Sequence, residues 1–472
     1  MSATSDPTGL VGRFAHWGAA LDYVAIPPKV RRAARRALVD TLGVMVAGTR
    51  HPALVSVRAA FPAGQGACSV TGGGPAGIQA AALVNGTAAH VWDFDDTSYT
   101  GIMHGSAVVF PAVLAVAQDR QVDDAALLTA FVAGSEIAYT LADIAGHGHY
   151  FQGWWSTGTF GLVGATAGVA RLLGLSAGQT AHALAMAAAG AGGGRVVMGT
   201  DAKPFLVGET ARRAVDFAQA AGAGIRGPAM AFEDPRGFFA LLNQSECDHS
   251  QADTLGRRWR LIEPGLLFKQ HPVCSAAQAA IEQTALLMSE SGLDAGDIGR
   301  IHCEIPELVA ISLVHDDPQN AQEAQFSLPF AVARAALDGT LSLAHLTETA
   351  IQSPDVRRLM SRIDAHVAED LSSEDMRRQS PECARIAIEF RDGSRSEGFC
   401  GAAYGMPSRP MSDQDLLAKF EHCLAFAGVS RPADSFPEAL LSGLGERPGA
   451  DALASIARIL DSSRQPRYDD PS

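Results

Sequence analysis

A mainly α protein, with a large all-helical domain interrupted by a smaller α+β domain, is the fold class this sequence predicts, and three features predict it. Apolar residues recur at helical spacing through about the first 265 residues. After Glu263-Pro264-Gly265 the pattern includes strict alternation, the signature of strands. Helical spacing returns beyond Pro407 and Pro410, so the chain's end is expected to rejoin the helical part. The expected units are 1–265 plus 406–472 for the helical domain and 266–405 for the α+β domain. A chain of 472 residues also exceeds one ordinary core, which calls for two.

Pro27-Pro28 opens the first clear helix, because proline's fixed φ suits a first helical turn. Val30–Ala47 carries its apolar stripe and Gly48 stops it. Further helices are predicted at Gly77–His90, Ser106–Ala117, Asp124–Ile144, Ser156–Leu173, Ser176–Ala189 and Gly208–Ala221. Gly161, Gly164, Ala165 and Gly168 share one face and allow close backbone approach, so bulkier residues there should overpack the bundle. Leu172–Gly194 is uncharged over a membrane-like length, but Ser176, Gln179, Thr180 and His182 mark it as packed soluble helix. Gly299–Pro306 reads as a strand. Arg385–Phe390 and Ser394–Cys400 read as a hairpin around Asp392-Gly393, a pair suited to the positive φ of tight turns. Gln325–Leu337, Met411–Ala427 and Ala450–Leu460 are predicted helical, and the polar tail from Ser462 is expected to fray.

Composition narrows the function. Hydrophobic content of 47% with 19% charged residues describes a globular chain. A formal net charge of -14 argues against a general nucleic-acid or anionic-membrane partner, which would want a basic face. An anionic substrate must then be drawn by a few specific cations. Seven cysteines without a C-x-x-C pair point to reduced thiols and a cytoplasmic protein, and MSATSDPTGLVGRFAHW lacks the pattern of a secretory signal.

The densest chemical signal is Asp93-Phe94-Asp95-Asp96, closing an alanine-rich segment, with His104 eight residues on. Carboxylates are costly to bury unless compensated, and an acid–histidine group holds a proton carrier near neutral pH. The alternative is a solvated helix end. A metal is the competing use of such residues, but no H-x-x-x-H or similar ligand spacing supports one. Lys203 lies in Gly199-Thr200-Asp201-Ala202-Lys203-Pro204; proline after it favours an extended backbone ahead of a helix starting near Gly208. There it suits an anion held over a helix N-terminus, or simply solvent. Lys269 follows three apolar residues, as an active-site cation or a snorkelling lysine. Tyr150, between Gly148 and Gly153, offers a phenol as donor or acid, or plugs its loop.

Five stretches in order, LVNGTAAHVWDFDDTSYTGIMHGSAVVFPAVLA, GHGHYFQGWWSTGTFGLVGATAGVARLLGLS, DAKPFLVGETARRAVDFAQAAGAGIRGP, FKQHPVCSAAQAAIE and AQFSLPFAVARAALDG, resemble the MmgE/PrpD family. That family comprises 2-methylcitrate dehydratases, cis-aconitate decarboxylases and iminodisuccinate epimerases. The resemblance covers nearly the whole chain. It implies a metal- and cofactor-free homodimer whose helical domain is built from both chain ends, with the site in the cleft beside the α+β domain. It implies catalytic roles for His104, Lys203 and Tyr150. Asp93, Asp96, Trp155, Lys269 and His271 are then assigned to substrate binding, the last two from the pattern K-x-Y/H-P-x-C. The chain departs from its relatives at Trp155, where a histidine is common, and at Gln278, another frequent histidine.

The shared chemistry of the family is proton transfer at carbon beside a carboxylate. Lysines would neutralise the developing enolate while an aligned base takes the proton. A dehydratase-like lyase on a small di- or tricarboxylate is the first expectation, and an epimerase of an iminodisuccinate-like acid the second. A cis-aconitate-type decarboxylase is disfavoured by Trp155, because an indole cannot exchange a proton near neutrality. A non-catalytic carboxylate binder is the alternative of another class.

Overall fold

The structure, a computed structural model, describes residues 9–62, 64–243, 247–430, 436–446 and 452–463. It is mainly α-helical. The first half runs α1 (Leu10–Ala20), α2 (Pro28–Ala47), α3 (Pro52–Ala60), α4 (Ile78–His90), α5 (Gly105–Arg120), α6 (Asp124–Ala145), α7 (Gly148–Phe151), α8 (Ser156–Leu172), α9 (Ala177–Gly190) and α10 (Ala202–Gly222). The predicted helices α2, α4 to α6, α8 and α9 lie within a few residues of their predicted bounds, while α1, α3 and α7 were not anticipated. α10 begins at Ala202, not near Gly208, so Lys203 and Pro204 sit in its first turn. Proline is tolerated there because a first-turn N–H has no intrahelical partner to lose.

α6 is long and apolar enough to cross a membrane. Here it is a core helix, buried against α5 and α8, and this packing accounts for its apolarity. Glycines set the closest approaches. A methyl group on Gly164 of α8 would fall 2.4 Å from the Gly134 carbonyl of α6, and one on Gly168 would fall 2.8 Å from the Ala130 carbonyl. Gly161 meets Val108 only at an ordinary 3.4 Å, so the predicted small-residue face is tight at two of its positions. The tightest crossing joins α4 to α10: Gly86 faces Gly208, whose added methyl would sit 2.0 Å from the Leu83 carbonyl and 2.4 Å from Thr87 Oγ1.

Beyond the bundle, two short strands pair antiparallel, β1 (Thr97–Ser98) with β2 (Leu266–Leu267). A four-stranded sheet follows, from β3 (Ile298–Ile305), β4 (Ile363–Val367), β5 (Ala384–Phe390) and β6 (Arg395–Cys400), in the order β4-β3-β5-β6. β3 and β4 are parallel; the other pairings are antiparallel. The predicted hairpin is β5–β6, with Gly393 at φ 87° in its turn. Helix Gln278–Ser291 covers this sheet and packs on helix Leu328–Asp338. The predicted return of the chain is seen in helix Asp413–Ala427, which lies along α2. There Lys419 Nζ sits 2.7 Å from the buried Asp40 carboxylate and donates to the Phe94 carbonyl at 2.7 Å. Most of the predicted polar tail, from residue 464 on, lies outside the described residues.

Gly208→Ala should lower stability by about 1–3 kcal/mol or more through overpacking, read as an earlier urea midpoint. Because the same crossing sets the spacing of His90 and Lys203, activity should fall as well. Wild-type stability in this variant would mean the two helices can part freely.

Candidate active site

The site is assembled by the turn that ends α4. Asp93 adopts φ 46°, a left-handed conformation aspartate tolerates better than most residues, and its N–H bonds to the His90 carbonyl at 3.1 Å. This places the Asp93 carboxylate between two ammonium groups. Lys203, from the first turn of α10, reaches Oδ1 at 2.5 Å. Lys269, two residues past β2, reaches Oδ2 at 2.8 Å and the Asp93 carbonyl at 2.5 Å. The β1–β2 pairing, with Thr97 opposite Leu267, brings the Lys269 segment alongside the acidic turn.

A second carboxylate, Asp95, joins two imidazoles. His90 Nδ1 donates to Oδ1 at 2.8 Å and His104 Nδ1 lies 3.1 Å from Oδ2. His90 Nε2 accepts from Lys203 Nζ at 2.5 Å. The proton inventory is self-consistent: two ammonium groups face two ionised carboxylates, and both rings carry their proton on Nδ1. Burial lowers the His90 pKa to about 4, so this ring is neutral. Burial alone would raise Asp93 and Asp95. For Asp93 the two lysines outweigh it, and for Asp95 the two histidines do, so each carboxyl is held below its ordinary range. His104, the residue preceding α5, keeps its ring fixed by Asp95 and the Asp96 carbonyl (3.1 Å). Its Nε2 has no partner among the described residues.

Beside this cluster lies a small cavity with about 20 Å³ of free volume, room for roughly one water. His104, Tyr150, Trp155, Lys203, Ser275 and Glu382 are among the residues lining it. A far larger cleft of about 970 Å³, lined by Tyr99, His147, Arg258 and Arg377 among others, lies near it but lacks the lysine–carboxylate cluster. We place the chemistry at the small cavity because the buried charges converge there.

Of the eight residues singled out in the sequence, His104, Tyr150, Trp155 and Lys203 border the cavity. Asp93 and Lys269 stand one layer behind, touching Lys203 directly or through Asp93. Asp96 and His271 face elsewhere. Asp96 is fully buried, and burial together with Asp40 raises its carboxyl well above the ordinary range. Asp96, expected to bind substrate, does not border the cavity, and the carboxylate beside the His104 ring is that of Asp95. His271 Nδ1 is bonded to the Leu341 carbonyl at 2.9 Å, and burial lowers its pKa to about 4. Tyr150 lies in the short α7 rather than in a loop; its hydroxyl is 3.2 Å from Ser312 Oγ and its ring is covered by Arg195 at 4.4 Å. Cys274, pushed up to about 12 by burial, stays a thiol. His90, Asp95 and Glu382 were missed. The first two lay inside the acidic motif, where a histidine five positions before Asp95 at a helix end was the available signal. Glu382, in a polar stretch, offered none.

Fold and cluster together define a helical protein with a buried cluster of lysines, carboxylates and histidines. The chain belongs to the MmgE/PrpD family: residues 12–249 match the MmgE/PrpD N-terminal domain and residues 271–437 the MmgE/PrpD C-terminal domain. Similar proteins include cis-aconitate decarboxylase of Homo sapiens, 27% identical over 351 residues that cover 72% of this chain and 71% of the relative. The Mus musculus enzyme of that name is 27% identical over 353 residues, covering 72% and 70%. That of Aspergillus terreus is 23% identical over 485 residues, covering 96% of each.

Asp93→Asn keeps the shape and removes the anion between two buried ammonium groups. The loss should be about 3–5 kcal/mol, as for other broken buried pairs, measured by urea unfolding at pH 7. Near-wild-type stability would show that the lysines find another counter-ion.

The buried histidines should make folding less favourable in acid, at pH values well above the carboxylate range. Burial pushes His51, His90, His149 and His271 down to about 4 from an ordinary 6.5. Between those values the unfolded chain holds protons the folded one lacks, so stability falls as pH drops, by about 1.4 kcal/mol per unit for each histidine. Glu136 opposes this. Burial raises it to about 7, so between 4.5 and 7 the folded form holds the extra proton. Asp40, Asp96 and Glu382, also raised by burial, act in the same sense as Glu136. The histidine share is isolated by His149→Gln, whose urea midpoint at pH 5 relative to pH 7 should lie higher than the wild type's; an equal pH dependence would contradict it.

Proposed function

We propose that this protein is a cofactor-independent lyase, dehydratase-like, that acts on a small di- or tricarboxylic acid by moving a proton next to a carboxylate. One observation carries the reading: the His104 ring, fixed through Nδ1 by Asp95, borders the same cavity as the Lys203 ammonium. A carbon acid beside a carboxylate needs both features. His104 Nε2 takes the proton, and Asp95 stabilises the imidazolium that forms. Lys203, with Lys269 behind it, balances the second negative charge of the enolate. The electron pair then expels the β-hydroxyl, leaving a double bond. A di- or tricarboxylate exceeds the present free volume, so the cavity walls must part for it to bind.

A second reading, decarboxylation of a cis-aconitate-like acid, is favoured by the names of the relatives. Against it stands Trp155, whose buried indole borders the cavity and is too weak an acid and base to carry a proton near pH 7.

His90, Asp95 and His104 also form a set whose ligand atoms lie within 4.8 Å of one another, as a metal site would require. Two features disfavour a cation there. Both Nδ1 atoms direct protons at the carboxylate, and His90 Nε2 is taken by a buried ammonium.

The test is an NMR panel in D₂O with 2-methylcitrate, citrate, cis-aconitate and iminodisuccinate. Elimination of water from one of the hydroxy acids is expected, unchanged by EDTA. Lys203→Ala and His104→Ala should each reduce it at least about 100-fold. Release of CO₂ from cis-aconitate without dehydration would install the second reading. Loss of activity with EDTA, restored by a divalent ion, would make the acidic cluster a metal site.

A further inference from the structure

A dehydration needs two proton carriers, one to take the proton from carbon and one to give a proton to the departing hydroxyl. His104 supplies the first. The family's usual second imidazole is replaced by Trp155, and the other histidines near the site are committed elsewhere. His149 has both ring nitrogens engaged, Nδ1 with the Leu242 carbonyl at 2.7 Å and Nε2 with Thr159 Oγ1 at 2.9 Å. His90 is spent between Asp95 and Lys203. Burial lifts the Tyr150 phenol to about 12, leaving it a poor donor to a hydroxyl.

One cavity-lining acid remains. Glu382 stands just before β5, buried, with no cation bonded to it. Ser275 Oγ donates to Oε1 at 2.8 Å and the Tyr99 hydroxyl donates to Oε2 at 2.7 Å. Both partners are hydroxyls, able to donate to a carboxylate or accept from a carboxylic acid. Tyr99 also lines the large solvent-filled cleft, so its phenol stands between the closed cavity and water. Of the charges acting on Glu382, Lys269 lowers its pKa and Asp93 raises it, while Lys203 and His104 share its cavity. Burial raises its pKa above the ordinary carboxylate value.

We propose that Glu382 is the second proton carrier of this site, giving its proton to the leaving hydroxyl and regaining one from solvent through Tyr99. The inference rests on the lyase reading above. The atoms balance: His104 takes the proton from carbon, and the C–H pair becomes the C=C bond. The C–O bond breaks with its electrons on oxygen, and the Glu382 proton makes that oxygen water. Release of the His104 proton to solvent and uptake of one by Glu382 restores the resting state.

Glu382→Gln keeps the hydrogen-bonding shape but carries no acidic proton. In D₂O with 2-methylcitrate and citrate, the variant should retain carbon–deuterium exchange while elimination falls about 100-fold or more with KM little changed. With 3-fluoro-3-deoxycitrate, whose fluoride leaves without a proton, variant and wild type should eliminate at similar rates. Glu382→Asp should recover part of the lost activity. Elimination within threefold of wild type, or equal loss of exchange and elimination, would overturn the proposal. An infrared measurement separates its failure from that of the lyase reading. A protonated-carboxyl band near neutral pH that shifts in D₂O and vanishes in Glu382→Gln supports the carrier whatever the substrate. Absence of such a band between pH 5 and 8 overturns it even in an active enzyme.

Discussion

Asp93 is the constraint on which the site depends. Two lysine ammonium groups, 3% and 0% exposed by residue, are tolerable in this interior only because one carboxylate lies within 2.5 and 2.8 Å of them. Each of its partners comes from a different part of the chain. Lys203 is delivered by the first turn of α10, and Lys269 by the strand that pairs with β1. The left-handed backbone at Asp93 turns its carboxylate toward both. One small anion thus ties the helical bundle to the segment leading into the sheet.

The close crossing of α4 and α10 supplies the second requirement. Gly86 and Gly208 let the two backbones nearly touch. His90 follows Gly86 by one helical turn on the same face, and Lys203 sits at the start of α10 beside it. The 2.5 Å contact between them then follows from packing. From His90 the hydrogen bonding continues to Asp95, whose other oxygen lies 3.1 Å from His104 Nδ1, so a lysine, two carboxylates and two imidazoles form one compact cluster. A neutral inventory of this kind stays organised in a low-dielectric interior, where an unpaired charge would be expelled or neutralised.

Two spaces of different character meet at Tyr99. The large cleft is wide and its arginines are paired, Arg258 with Asp143 and Arg377 with Glu307. The small cavity is nearly closed and carries the buried cations. Glu382 and Tyr99 form part of the wall between them, which gives that wall a chemical meaning as well as a structural one. Trp155 fills one side of the cavity with a buried indole.

What the sequence determined alone is what local physics encodes. Helical spacing located α2, α4 to α6, α8 and α9, the Asp-Gly turn located β5–β6, and the family motifs pointed to His104, Lys203, Tyr150 and Trp155, which border one cavity. These features depend on residues a few positions apart, or on whole motifs kept in order. The start of α10 was misplaced because proline's local bias was weighed without the freedom a first helical turn allows it. Only the tertiary structure decided that Asp95 and not Asp96 holds the histidine, that His271 turns to the Leu341 carbonyl, and that Glu382 enters the site from nearly three hundred residues beyond the acidic cluster. Neighbouring carboxylates look alike in a sequence. Their burial, partners and charge are set by which distant segments pack against them, and no local pattern carries that information.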